Sequence, residues 1–213
     1  MFNWFKKKTT EPKETSDTAP EVLGLRLGGA FELDDLKFRM IEPELVIEGA
    51  SRTQIIQAVG VVSLDENTRL VRFYTDDDGY LQVLQHGRDD SGVAEVKLFY
   101  FYETKPIDSD SLWDSWLNST LVQPSMSLEG HTFEKVWENE QPVAMTEKTY
   151  DREGRVSQTD QFVMLYERDV NDHYAESLLI ACEESVKNQH QLERCVTHIT
   201  GVNVSATDFT VIG

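Results

Sequence analysis

The feature that most limits what this chain can become is a succession of β-branched and aromatic runs of strand length, each closed by an acidic or glycine-containing turn. Residues 54–64 (QIIQAVGVVSL) meet the turn Asp65-Glu66-Asn67 and continue through 68–74, which reads as a hairpin. Asp76-Asp77-Asp78-Gly79 turns the chain into 80–86, and HGRDDSG (86–92) turns it again into 93–104. The pattern resumes at 132–137, 143–150 and 156–166, with Asp151-Arg152-Glu153-Gly154 as another turn. This spacing predicts an antiparallel meander. The expected class is mainly β (α+β at most), with antiparallel sheets in a sandwich-like or two-sheet arrangement.

Within that pattern VKLFYFYE (96–103) puts two rings on each face of a strand, which predicts a central strand buried on both sides. Between Pro106 and Pro124 the β pattern stops. There Asp108-Ser109-Asp110 is placed to cap one short helix near residues 109–118, with Trp113 and Trp116 on one face. The plainer reading of that face is a lid over a sheet; the functional one is a ligand-stacking surface formed by Trp113, Trp116, Tyr100 and Tyr102. Residues 175–196 fit either a helix or two strands with a turn between Asn188 and Gln189. The β-branched CVTHITGVNV (195–204) favours two strands, in a register that sets Cys182 opposite Cys195.

Ahead of this body, Met1, Phe2, Trp4 and Phe5 run directly into Lys6, Lys7 and Lys8, and TTEPKETSDTAPE (9–21) has the composition of a disordered linker. The expected organisation is an aromatic and basic tail (1–8), a linker (9–21) and one β-rich domain (22–213). YTDDDGY (74–80) and YDREGR (150–155) echo each other, which raises a version of that domain with two similar halves, 22–105 and 125–213.

Charge narrows the partners. The chain carries 38 acidic against 20 basic residues, a formal net charge of −18, so long-range repulsion disfavours a nucleic-acid partner. The tail is the local exception: its rings suit a headgroup region and its lysines an anionic surface, so Phe2, Trp4, Phe5, Lys6, Lys7 and Lys8 are the expected contacts to a membrane surface or a protein partner. No apolar run approaches the roughly 20 residues of a membrane-spanning helix. The start lacks the apolar stretch of a secretory signal, so a cytoplasmic address is expected.

Motifs for the commoner chemistries are missing: no P-loop, GxGxxG, HExxH, GxSxG or CxxC occurs. His86, His131, His173, His190 and His198 are scattered, and Cys182 and Cys195 lack paired metal-ligand spacing. Asp76, Asp77 and Asp78 are weak metal candidates, since a calcium loop needs a Glu six residues past its Gly and Gln85 stands there. No cofactor is expected.

Taken together, WFKKK (4–8), LGLRLGG (23–29), QIIQAVG (54–60), RFYTDDDGYL (72–81) and DFTVI (208–212) resemble the YjfK-like family of uncharacterised bacterial proteins across nearly the whole chain. The resemblance implies a cytoplasmic bacterial protein whose genes tend to lie beside those for a phage-shock-like coiled-coil protein and a small membrane protein. It assigns no site residue. The leading expectation is therefore a non-enzymatic binding or adaptor protein acting near, and peripheral to, the inner membrane with a protein partner. Two others stand beside it: an enzyme or small-ligand-binding protein with a pocket between sheets, and a weak divalent-cation sensor.

Overall fold

The acidic turns fold as their chemistry dictates, because a short carboxylate can accept from the backbone two to four residues ahead. Asp65 Oδ1 accepts from the amides of Asn67 and Thr68, each at 2.7 Å. Asp151 Oδ1 likewise accepts from Glu153 at 3.0 Å and Arg155 at 2.8 Å. These turns join the strands of a computed structural model that describes residues 18–47, 49–188 and 191–212. In chain order the elements are β1 (Ala30–Leu33), α1 (Asp35–Ile41), β2 (Thr53–Ser63), β3 (Thr68–Thr75), β4 (Gly79–His86), β5 (Val93–Pro106), α2 (Asp110–Ser115), β6 (Ser125–Leu128), β7 (His131–Lys135), β8 (Val143–Asp151), β9 (Val156–Asn171), β10 (Tyr174–Asn188), β11 (Gln191–Asn203) and β12 (Phe209–Ile212).

Strands β2 to β5 form one antiparallel meander and β8 to β11 a second. First pairs with first and last with last: β2 with β8, and β5 with β11. The result is a closed antiparallel barrel of eight strands, not the sandwich or two-sheet arrangement expected from the sequence. The correction has a simple cause. The closing contact pairs Ala58–Val62 with Glu147–Asp151, segments far apart in the chain, and local patterning carries no sign of it. The remaining strands extend the barrel: β1 and β12 continue from the start of β2, and β7 with β6 from the end of β9.

Both surfaces of much of the barrel wall are covered, which is why β3, β4, β5 and the middle of β9 and β10 read as nearly continuous apolar runs. Outward-facing Val71, Phe73, Leu81, Val83, Val96 and Leu98 pack under Val22, Leu25, Phe31 and the α1 residues Phe38 and Ile41. On the other side, Met164, Tyr166, Leu178, Ile180 and Val196 pack under Trp113, Leu121 and Phe133. A third cluster, with Tyr80, Phe99, Val163, Leu165, Leu179 and Ile199, faces the lumen.

Local expectations fare unevenly. The helix near 109–118 is present: Ser109 Oγ caps α2 by accepting from Leu112 N at 3.3 Å, and the chain continues as a π-helical turn over Trp116–Thr120. The sequence pattern missed α1, which is only seven residues long and held by the Asp34 cap and by Lys37 Nζ on Asp208 Oδ2 at 2.5 Å. In β5, burial on both faces holds for Val96–Phe99 and then ends, leaving Phe101 39% and Tyr102 40% exposed. Residues 175–196 are two strands, but the register sets Cys182 opposite Val196 and Glu183 opposite Cys195. That single-residue offset turns the two thiols to opposite faces of the wall. Among the described residues no helix is long and apolar enough to cross a membrane.

Candidate binding site

Alternation along the strands delivers a set of polar side chains to the lumen. Gly60, Arg72 and Gln82 lie in one row across β2, β3 and β4, and Lys97 continues it on β5. Arg72 is the hub. Its Nη1 donates to Glu147 Oε2 at 2.6 Å and to Gln161 Oε1 at 2.8 Å, and its Nε donates to Gln82 Oε1 at 3.0 Å. Tyr74 OH donates to the other Glu147 oxygen at 2.7 Å, and Gln161 Nε2 reaches Glu147 at 3.2 Å and Glu183 at 2.9 Å. The ion pair is fully enclosed, with 3% and 2% of the two side chains exposed.

Space for this network comes from a missing side chain. A Cβ at Gly60 would stand 1.7 Å from Glu147 Oε1, so only glycine lets the carboxylate lie against β2. The electrostatics follow from enclosure. Burial would weaken the Arg72 charge, but the Glu147 carboxylate more than restores it and raises its pKa. Burial, with the same carboxylate nearby, lifts Tyr74 well above the usual phenol range, and it raises Glu183. Both phenols of the lumen, Tyr74 and Tyr80, therefore stay protonated.

The network divides the lumen into unequal halves. Toward the Asp76–Gly79 turn it is plugged by rings: the Tyr80 centroid lies 5.1 Å from Tyr74, 5.3 Å from Phe99 and 5.7 Å from Phe101. Gly201 makes room for the plug, since a Cβ there would lie 2.3 Å from Phe99 Cδ1. The other half is open, a cavity of about 580 Å³ with Arg72 and Gln82 at its floor. Its walls are largely Leu70, Leu84, Val143, Met145, Val163 and Leu179, and Trp137 and Asn139 also border it. Beside Gln82 on the neighbouring strand, Lys97 Nζ donates to Glu167 Oε1 at 2.8 Å and Ser177 Oγ at 3.0 Å, with Glu95 at 3.9 Å. A larger hollow of about 690 Å³ lies on the outer surface of β2, β8 and β9. It is bordered by Lys148, Gln158, Asp160 and Glu184 and has no enclosed apolar wall, so the lumen is the stronger candidate.

The residues singled out in the sequence lie elsewhere. Phe2, Trp4, Phe5, Lys6, Lys7 and Lys8 are outside the described residues. Trp113 is buried outside the barrel between Phe162 and the Arg194 guanidinium, and Trp116 stands edge-on to His198. Tyr100 hydrogen-bonds Asp77 and Gln54, and Tyr102 hydrogen-bonds Glu129. Trp113 and Trp116 thus pack in one cluster and Tyr100 in another, so the four rings form no common platform. Asp76 accepts from Ile55 N at 2.8 Å and Asp77 from Ser51 N at 2.7 Å, which makes them clamps on the start of β2. Among the described residues no three potential ligands converge as a metal would need.

Sequence reasoning passed over Arg72, Gln82, Lys97, Glu147 and Gln161. A signal was present for Arg72, Gln82 and Lys97, each of which interrupts an apolar run at an alternate position, whereas Glu147 and Gln161 stand in polar stretches (TEKT and TDQF) that give none. On an ordinary half-buried strand that pattern marks the solvent face, and only closure of the sheet turns it inward.

No solved structure matches the chain. It is 30% identical over 201 residues, 90% of each chain, to a protein of Escherichia coli (strain K12) described as "Uncharacterized protein YjfK". The family model described as "Protein of unknown function (DUF2491)" matches residues 1–210, and the chain, with its polar-floored barrel, belongs to that family.

Proposed function

We propose that this protein binds a small, mainly apolar molecule in the lumen of its barrel. The observation that carries the reading is the half-filled interior. Side chains alone can fill an eight-stranded barrel, or it can hold one small ligand; here one half is packed with rings and the other is an apolar cavity of about 580 Å³. That volume falls within the roughly 300–1,000 Å³ usual for ligand sites, and the polar groups at its floor are few and fixed. The uncharged dye Nile red tests it. Its fluorescence should rise on mixing with the protein and fall back in Leu179→Trp, which fills the cavity from β10. Equal enhancement by both proteins would place the dye elsewhere and overturn the reading.

The aromatic and basic tail supports a separate proposal, contact with an anionic membrane surface or a protein partner, because rings and three lysines stand together in Phe2 to Lys8. Co-sedimentation with anionic vesicles and capture from lysate, each comparing the whole chain with one beginning at Thr9, test it. Identical behaviour of the two in both assays would remove it.

A further inference from the structure

The floor of the cavity holds hydrogen-bond donors that the protein itself does not use. Of the Arg72 guanidinium donors, Nε is taken by Gln82 and both Nη1 hydrogens are taken by Glu147 and Gln161. Among the described residues Nη2 has only the thioether of Met145, a weak acceptor at 3.9 Å. Gln82 adds a second donor. Arg72 Nε can only donate, so the Gln82 amide must turn its oxygen to Arg72, which leaves Nε2 directed away from it. Nε2 meets no acceptor among the described residues, and both residues line the cavity. A guanidinium this deeply enclosed gains from an acceptor on its remaining arm.

Charge decides what kind of acceptor fits. Around the cavity Arg72 is matched by Glu147, and Lys97 is matched by Glu167, with Glu95 as an additional carboxylate at 3.9 Å. Two cations therefore face these three carboxylates, and Glu183, bonded to Gln161, adds a fourth acidic group. An anionic end group would enter a site with no positive charge to spare, whereas a neutral oxygen needs only the N–H groups.

Resting on the lumen reading above, we propose that the bound molecule is uncharged and ends in a hydrogen-bond acceptor, such as an ester, ketone or amide oxygen. That oxygen seats against Arg72 Nη2 and Gln82 Nε2 while its apolar body lies along Leu84, Val163 and Leu179. The donors then set specificity, and the apolar walls supply most of the affinity.

Displacement of Nile red by three probes of similar length tests this: methyl hexanoate, heptanoate and heptane. Methyl hexanoate is expected to displace the dye at about fivefold lower concentration than heptane, the worth of one net hydrogen bond, with heptanoate the weakest. In Gln82→Glu the oxygen facing Arg72 Nε is kept and the amide donor is lost, so the preference for the ester over heptane should disappear. Met145→Gln offers Nη2 an acceptor from the protein itself and should also reduce the preference, which keeps the test open if Gln82→Glu fails to fold. Equal displacement by ester and alkane in the native protein would overturn the donor assignment and leave the lumen reading standing. Tightest displacement by heptanoate would overturn the neutrality argument, and an ester preference that survives in both variants would overturn the assignment to Arg72 and Gln82. Displacement by none of the probes, together with undiminished dye binding in Leu179→Trp, would remove the lumen reading itself.

Discussion

Gly60 and Glu147 show how one residue governs the interior. A methyl group at position 60 overlaps the carboxylate, so Gly60→Ala must push Glu147 away from Arg72 and leave a buried charge without its partner. Breaking such a pair costs about 3–5 kcal/mol, so urea denaturation of Gly60→Ala should show a loss of at least about 3 kcal/mol. A second residue, His198, gives a pH dependence. It lies on the outer face of β11 against Trp116, opposite Glu103 on β5 and near Lys105, with Nδ1 buried and unpartnered among the described residues. Burial lowers its pKa; Glu103 opposes that shift and Lys105 adds to it. The unfolded chain then protonates first as pH falls, so this contribution to stability is complete above about pH 6.5 and is lost as pH drops through the lower folded value. Melting curves of His198→Phe should show a flatter slope than the native protein below about pH 6.5.

At the scale of elements, adjacent residues of one strand meet opposite sides of the barrel wall. Leu178 lies in the packed layer beneath α2, and Leu179 borders the cavity. Overpacking a filled core costs about 1–3 kcal/mol, so Leu178→Phe should lose about that much stability. Leu179→Phe should stay within about 1 kcal/mol of the native protein, because its ring has open space to enter. Matched losses in urea denaturation would mean that the lumen is packed. The thiols follow the same division. Burial pushes Cys182 up to about 12 and also raises Cys195, and the two project from opposite sides of the wall, so neither is set up as a thiolate nor for a bond to the other.

The molecule as a whole depends on its two seams. Neither four-stranded meander closes alone, and polar groups of the lumen bond from one to the other: Arg72 on β3 bonds Glu147 on β8 and Gln161 on β9, and Lys97 on β5 bonds Glu167 on β9 and Ser177 on β10. Unfolding should therefore be a single transition, with fluorescence from a Trp113→Phe/Trp116→Phe protein, which keeps Trp137 against the lumen cluster, and from a Trp137→Phe protein, which keeps Trp113 and Trp116 outside the wall, giving one midpoint. A resolved second transition would mean that one meander outlasts the other. A ligand seated between the meanders stabilises both together. At a hundredfold excess over its Kd, methyl hexanoate should add about 2.7 kcal/mol to the unfolding free energy.

Strand-length apolar runs, turn carboxylates at Asp65 and Asp151, and the Ser109 cap are local in origin, and local chemistry determined them: the β class, most strand positions and α2 follow from the sequence alone. The short α1 escaped because seven residues give too little periodicity, and its anchor on Asp208 comes from the far end of the chain. Closure escaped for a related reason, since pairing β2 with β8 is a choice among distant partners that no local pattern encodes. The site depended on closure. Arg72, Gln82 and Lys97 have the alternation of a solvent-facing row, and a period of two residues is the same whether that row meets water or a lumen; Glu147 and Gln161 sit in polar stretches that give no pattern at all. The sequence determined which residues share a face; tertiary structure decided that this face is the inside.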